Sequence, residues 1–366
     1  MKWSVHAGRI GGIEIRIHAT FLLILGWAFW RGWSGGSWQD GAWTALMVAC
    51  VFACVVLHEL GHSLVARRLG IAVHGITLYP IGGVASLARI PERPRDEFLI
   101  AVAGPAVSVL LAAFFALVGG GWPDLERLDA IGTLPWLGGM LTVVNAGLAI
   151  FNLVPAFPTD GGRILRSFLA VWLPYPRATA IATGLGQVAA VGILGFGYQS
   201  DNPFLPVIAI FLFFAARREN ALVRMRHALR AVPAERAMTA DFPRLAPYDS
   251  IEQAVAVFRA SGLGALPVFD GERLVGLLDL VTLRRRVKGS RGGECVGDWM
   301  QRHLVVLEPE ADLERLLPQL LGGGQAAFPV VRDGVVIALV TRESVARLLR
   351  PESAAPAPGR WRMDLG

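Results

Sequence analysis

Apolar runs long enough to approach the width of a bilayer crowd the first 217 residues of this chain and are absent from the remainder. A membrane-crossing helix needs about 20 mostly apolar residues. Read with that window, the runs fall at roughly Ala19 to Trp33, Ala42 to Leu69, Phe98 to Val118, Gly132 to Leu153, Ala178 to Gly197 and Phe204 to Ala216. The last is short, and Arg31 in the first can reach the interface along its aliphatic stem. Composition agrees: 54% of residues are hydrophobic and 17% charged, against about 25% charged in soluble domains. That excludes an ordinary soluble enzyme and a disordered chain. Three cysteines, two of them inside an apolar run, make no disulfide framework. The net charge of +6 lies beside the apolar segments, as a membrane requires, so no nucleic-acid partner is expected.

The flanks of these runs alternate in basic content. Lys2, Arg9, Arg16, Arg67, Arg68, Arg89, Arg93, Arg95, Arg163, Arg166, Arg177 and the cluster from Arg217 to Arg230 fall on one side. Arg31 and Arg127 fall on the other, beside Asp40, Asp124, Glu126, Asp129 and Asp201. Positive loops stay inside, so both termini are expected to be cytoplasmic, which an even number of spans requires. No A-x-A-like site follows the first run, so no cleaved signal peptide is expected.

After Arg230 the composition turns to mixed charge and short strand-like runs, and a repeat emerges when the segment is slid along itself. Leu266-Pro267-Val268 falls on Phe328-Pro329-Val330, and Leu277-Leu278 on Leu339-Val340, at an offset of 62 residues. The Ala/Pro-rich tail, 351–366, is expected to be disordered.

The second apolar run contains His58-Glu59-Leu60-Gly61-His62. On a helix, positions i and i+4 share a face, so both imidazoles can reach one metal while Glu59 stands near enough to act as a base on its water. Ionisable groups at membrane depth are costly and mark function by default. A polar patch joining neighbouring helices is the alternative. Cys54, one turn before His58, is read as a small packing residue.

A catalytic zinc takes three protein ligands, so a third must come from elsewhere. Asp96 and Glu97 open a helix, where carboxylates suit the dipole. Asp160 stands in Asn152-Leu153-Val154-Pro155-Ala156-Phe157-Pro158-Thr159-Asp160-Gly161-Gly162, expected to be irregular backbone of the kind tolerated at membrane depth only beside protein or a water-filled cavity. His62 lies seven residues before Leu69, about 10 Å from the cytoplasmic helix end. Asp160 falls on the same side.

With these motifs in place, the sequence resembles the site-2 protease family of intramembrane zinc metalloproteases (peptidase family M50), in the subgroup carrying a pair of cystathionine-β-synthase (CBS) domains. The family's H-E-x-x-H is matched at His58, Glu59 and His62, and its N-x-x-P-x-x-P-x-D-G from Asn152 to Gly161. The resemblance implies one Zn2+ per chain on His58, His62 and Asp160, with Glu59 as catalytic base and Asn152 contacting the substrate backbone or a developing oxyanion. Gly82-Gly83 resembles the family's glycine pair on a substrate-pairing strand. Gly8 to His18 resembles the strand before the first helix. Gly104-Pro105-Ala106-Val107-Ser108 resembles G-P-x-x-N, with Ser108 where Asn is commoner, a difference expected to touch helix packing and not the zinc site.

The implied architecture is a polytopic α-helical membrane protein of about six transmembrane helices with a short β element, followed by a cytosolic α+β tandem CBS pair. The expected domains are 1–230, the protease; 233–289 and 295–350, the two CBS copies; and the tail. The implied activity is hydrolysis of peptide bonds in or near transmembrane segments of substrate proteins. The bilayer is one partner, and a homodimer through the CBS pair another. CBS pairs often bind adenine nucleotides through G-h-h-T/S-x-x-D. Here Asp279 and Thr282 stand in swapped places, and the second copy ends at Ser344 after Thr341. That leaves regulation by nucleotide, docking and dimerisation as open roles. A CBS-gated transporter or channel is the rival reading, but it has no need of H-E-x-x-H with a matching Asp160.

Overall fold

The computed structural model describes residues 4–80, 82–88, 91–119, 132–287, 293–322 and 324–349. Arg89, the acidic and basic flank residues 124–129 and the tail 351–366 lie outside them. The chain divides into two units, Met1–Val223 and Arg224–Gly366.

The first unit opens with β1 (Ser4–Ile10) and β2 (Ile13–His18), a hairpin closed by Gly11 and Gly12 at positive φ. Then come α1 (Ala19–Gly35) and α2 (Trp38–Arg68), the latter started by a capping box between Ser37 and Asp40 and finished by Arg67 and Arg68 at its negative end. β3 (Val73–Tyr79) pairs parallel to β2 and antiparallel to β4 (Gly82–Leu87), giving a four-stranded sheet in the order β1-β2-β3-β4. This sheet is larger than the short β element the sequence suggested, and β4 is its edge. The helices α3 (Pro94–Val118), α4 (Leu134–Leu153), α5 (Asp160–Leu169), α6 (Tyr175–Gln199) and α7 (Phe204–Leu229) complete the series.

All six apolar runs fall on helices, namely α1, α2, α3, α4, α6 and α7. Among the described residues, four of them, α2, α3, α4 and α6, are long and apolar enough to cross a membrane. The other two fall short of the expected six for plain reasons. α1 has 17 residues, and the apolar stretch of α7 ends at Arg217.

Small residues set how closely the helices approach. A methyl added at Gly61 of α2 would lie 2.9 Å from the Ala103 carbonyl and 2.8 Å from Val107 on α3. The two helices that carry most of the site therefore pack backbone to backbone.

The second unit shows the repeat directly. α8 (Ile251–Ser261), β6 (Ala265–Asp270) and β7 (Arg273–Asp279) recur as α11 (Leu313–Gly322), β8 (Ala327–Arg332) and β9 (Val335–Thr341). Between them lie α9 (Leu280–Val287) and α10 (Val296–Trp299), with β5 (Met238–Thr239) added to β9 and α12 (Arg342–Leu348) at the end. Each copy has its own apolar core, one around Phe258, Leu266 and Leu278, the other around Leu317, Phe328 and Val340. The same positions carry both cores because a strand's apolar face is fixed by its register.

Candidate active site

α2 places His58 and His62 on one buried face, 3% and 6% exposed, and their Nε2 atoms lie 3.2 Å apart. Asp160 Oδ2 lies 3.2 Å from each of them. Three donor atoms from two segments thus form a triangle with equal sides. Two ligands held about 2.0–2.1 Å from a tetrahedral zinc stand about 3.3–3.4 Å from each other, so the triangle has the size a zinc ion needs.

The hydrogen-bonding around it supports the same fit. His62 Nδ1–H donates to the Ile100 carbonyl at 2.6 Å. A carbonyl only accepts, so in the neutral ring the Nε2 is a bare acceptor. It faces the acceptor oxygen of Asp160, and lone pairs converging at this range repel unless a cation lies among them. His58 Nδ1 is 2.9 Å from Ser108 Oγ. Both outer partners sit on α3, and such contacts fix the orientation of ligating imidazoles. Gly104, also on α3, leaves room for the centre: a methyl there would come within 2.7 Å of His58 Nε2 and collide with His62 Nε2.

Asp160 is the first residue of α5 and not part of the irregular backbone expected for it. The irregular stretch ends just before it, at 154–159, where Thr159 Oγ1 donates to the Val154 and Ala156 carbonyls at 2.6 and 2.8 Å. Side chains at Gly161 and Gly162 would overlap the backbone of Leu153 to Phe157. The double glycine therefore lets the chain fold back on itself and present the carboxylate.

Glu59 is half-buried, and its carboxylate lies within 4.8 Å of the donor atoms of His58 and His62. β4 crosses close by. A methyl at Gly83 would stand 2.7 Å from Glu59 Cγ, so only glycine lets the strand lie against the glutamate. Gly82, at φ +135°, precedes it on the same edge strand. Asn152 is half-buried in the last turn of α4.

Three sequence readings need correction. Ser108, assigned to helix packing, meets a histidine of the site. Glu97, assigned to the helix dipole, is 3% exposed and ion-paired with Arg166. Arg166, counted among the cytoplasmic flank charges, is 1% exposed. The G-P-x-x-S stretch was the signal that could have placed Gly104 and Ser108 at the centre. For Arg166 there was none, because a buried and an interfacial arginine look alike in sequence.

Known proteins match at both levels. The model of peptidase family M50 matches residues 46–123 and 129–193, and the CBS domain model matches 234–289 and 296–351. A zinc metalloprotease of Methanocaldococcus jannaschii is 31% identical over 95% of this chain and 97% of its own length. The chain belongs to peptidase family M50. The Rip3 protein of Mycobacterium tuberculosis, which carries a zinc metalloprotease name, is 32% identical over 95% of this chain and 93% of its own length. A solved site-2 protease from Methanocaldococcus jannaschii covers 60% of this chain and 95% of its own, at 35% identity and a TM-score of 0.44. This M50 protein is a site-2-type zinc metalloprotease joined to tandem CBS domains, and the rival transporter reading falls.

Proposed function

We propose that this M50 protein cuts peptide bonds in or near membrane-spanning segments of single-span substrate proteins, using Glu59 as base and His58, His62 and Asp160 as zinc ligands. The observation that carries the assignment is the 3.2 Å triangle of two imidazole nitrogens and one carboxylate oxygen. When bound, zinc acidifies a water and polarises the scissile carbonyl. Glu59 takes the proton from the attacking water and returns one to the leaving amine nitrogen. Asn152 is assigned to the backbone or oxyanion of the substrate. A helical substrate has its carbonyls engaged, so it must unwind before cleavage. The free edge of β4, beside Glu59 at Gly83, suits an unwound segment added as a further strand.

The basic flanks support a plasma-membrane protein with both termini and the site toward the cytoplasm. For the CBS pair we favour docking or dimerisation over nucleotide sensing. Its hydroxyl and carboxyl groups at the ligand run bond each other: Thr282 Oγ1 donates to Asp279 Oδ2 at 2.7 Å, and Thr341 and Ser344 cap one another's backbone.

Metal content and cleavage of a model transmembrane substrate, measured on the detergent-purified chain, test the reading. Wild type should hold about one zinc and cut. Glu59→Gln should keep zinc without cutting, and Asp160→Ala should lose zinc. Cleavage surviving Glu59→Gln would refute the assignment of the base.

A further inference from the structure

One guanidinium grips the chain on both sides of Asp160. Arg166 lies six residues after Asp160 on α5 and is 1% exposed. Its guanidinium carbon lies 4.6 Å from the ring centre of Phe157, three residues before Asp160, and 4.9 Å from that of Tyr175, the first residue of α6. Nε–H donates to Glu97 Oε1 at 2.8 Å, and Nη2–H donates to the same oxygen. Nη1–H donates to Glu219 Oε1 of α7, also at 2.8 Å.

Glu97 lies three residues before Ile100 on α3, and the Ile100 carbonyl orients His62. One side chain therefore joins the loop before Asp160, the helix that starts at Asp160, and the first turn of the helix that aims a histidine. A buried ion pair is weak evidence for stability by itself, since apolar residues of similar volume often serve as well or better. What such a pair supplies is a fixed geometry. A ligand set needs that, because a functional constellation works only when held to within about 0.5 Å.

We infer that Arg166 is a positioning residue: through Phe157 and Glu97 it holds the Asp160 carboxylate in register with the His62 imidazole. The inference rests on reading Asp160 as a zinc ligand. It predicts that zinc affinity falls when the fork-shaped guanidinium is replaced, even by another cation, because lysine cannot make the same paired contacts.

The test is zinc affinity by chelator competition on the detergent-purified full chain, beside the thermal midpoint of the metal-free protein. The variants are Arg166→Lys, Glu97→Gln, Asp160→Asn and the double variant Arg166→Lys/Asp160→Asn. Arg166→Lys should weaken zinc by about 10- to 100-fold, the range seen for groups that orient ligands. In the Asp160→Asn background the same change should cost no further affinity, while its effect on the metal-free midpoint is the same in both backgrounds. A merely structural arginine would lower the midpoint and leave zinc affinity untouched, or lower affinity equally in both backgrounds. Either result overturns the inference. Wild-type zinc affinity in Asp160→Asn would instead remove the ligand reading on which it rests. Should Arg166→Lys not fold, Glu97→Gln, which keeps the shape and removes the charge, carries the same comparison.

Discussion

Gly104→Ala is the substitution whose consequence the geometry fixes most tightly. In the interior of a helix, replacing glycine with alanine ordinarily stabilises by about 1 kcal/mol. At Gly147 of α4, where a methyl would meet nothing within 4 Å, that gain should appear in full. At Gly104 the methyl would stand 2.7 Å from His58 Nε2 and closer still to His62 Nε2. Overpacking of this kind costs about 1–3 kcal/mol. The cost falls mainly on the metal-loaded state, because the imidazoles can swing aside only when they need not converge. At 1.4 kcal/mol per factor of ten, zinc should bind about 5- to 150-fold more weakly. Chelator competition on Gly104→Ala, Gly147→Ala and wild type reads this directly, with thermal melting of the metal-free forms as control. Wild-type zinc affinity in folded Gly104→Ala would refute the placement of α3 against the two histidines.

Ser108→Ala removes the partner of His58 Nδ1 and should weaken zinc by about 10-fold or more, an effect that zinc titration checks. Gly83→Ala forces Glu59 or β4 aside. Cleavage should drop at least about tenfold with zinc content unchanged, and parallel loss of zinc would count against the split between base and ligands. Removing metal with a chelator should abolish cleavage, and added zinc should restore it; activity persisting in the metal-free chain would refute a zinc mechanism. Phe328→Ala opens a cavity at a fully buried position of the second CBS core. It should cost about 3–5 kcal/mol there and lower the CBS melting transition while leaving zinc content intact.

The sequence by itself determined the features that depend on periodicity. The i, i+4 spacing of His58 and His62 puts them on one face of any helix, and the proline-glycine segment marks a break that can present Asp160. The repeat, offset by 62 residues, fixes two strand pairs of like register, which the structure shows in β6-β7 and β8-β9. These are local properties, legible wherever the backbone geometry is regular.

What only the tertiary structure decided depends on how helices are rotated and which ones meet. Gly104 and Ser108 become part of the centre because the face of α3 that bears them turns toward α2, a matter of packing that no spacing along α3 reveals. Gly83 meets Glu59 because β4 is the edge strand lying over α2. Arg166 reads as one more basic residue at a membrane flank until Glu97 and Glu219, 69 and 53 residues away in the chain, close around it. A charge is tolerated in the interior only when partners arrive from elsewhere, and it is the fold that brings them.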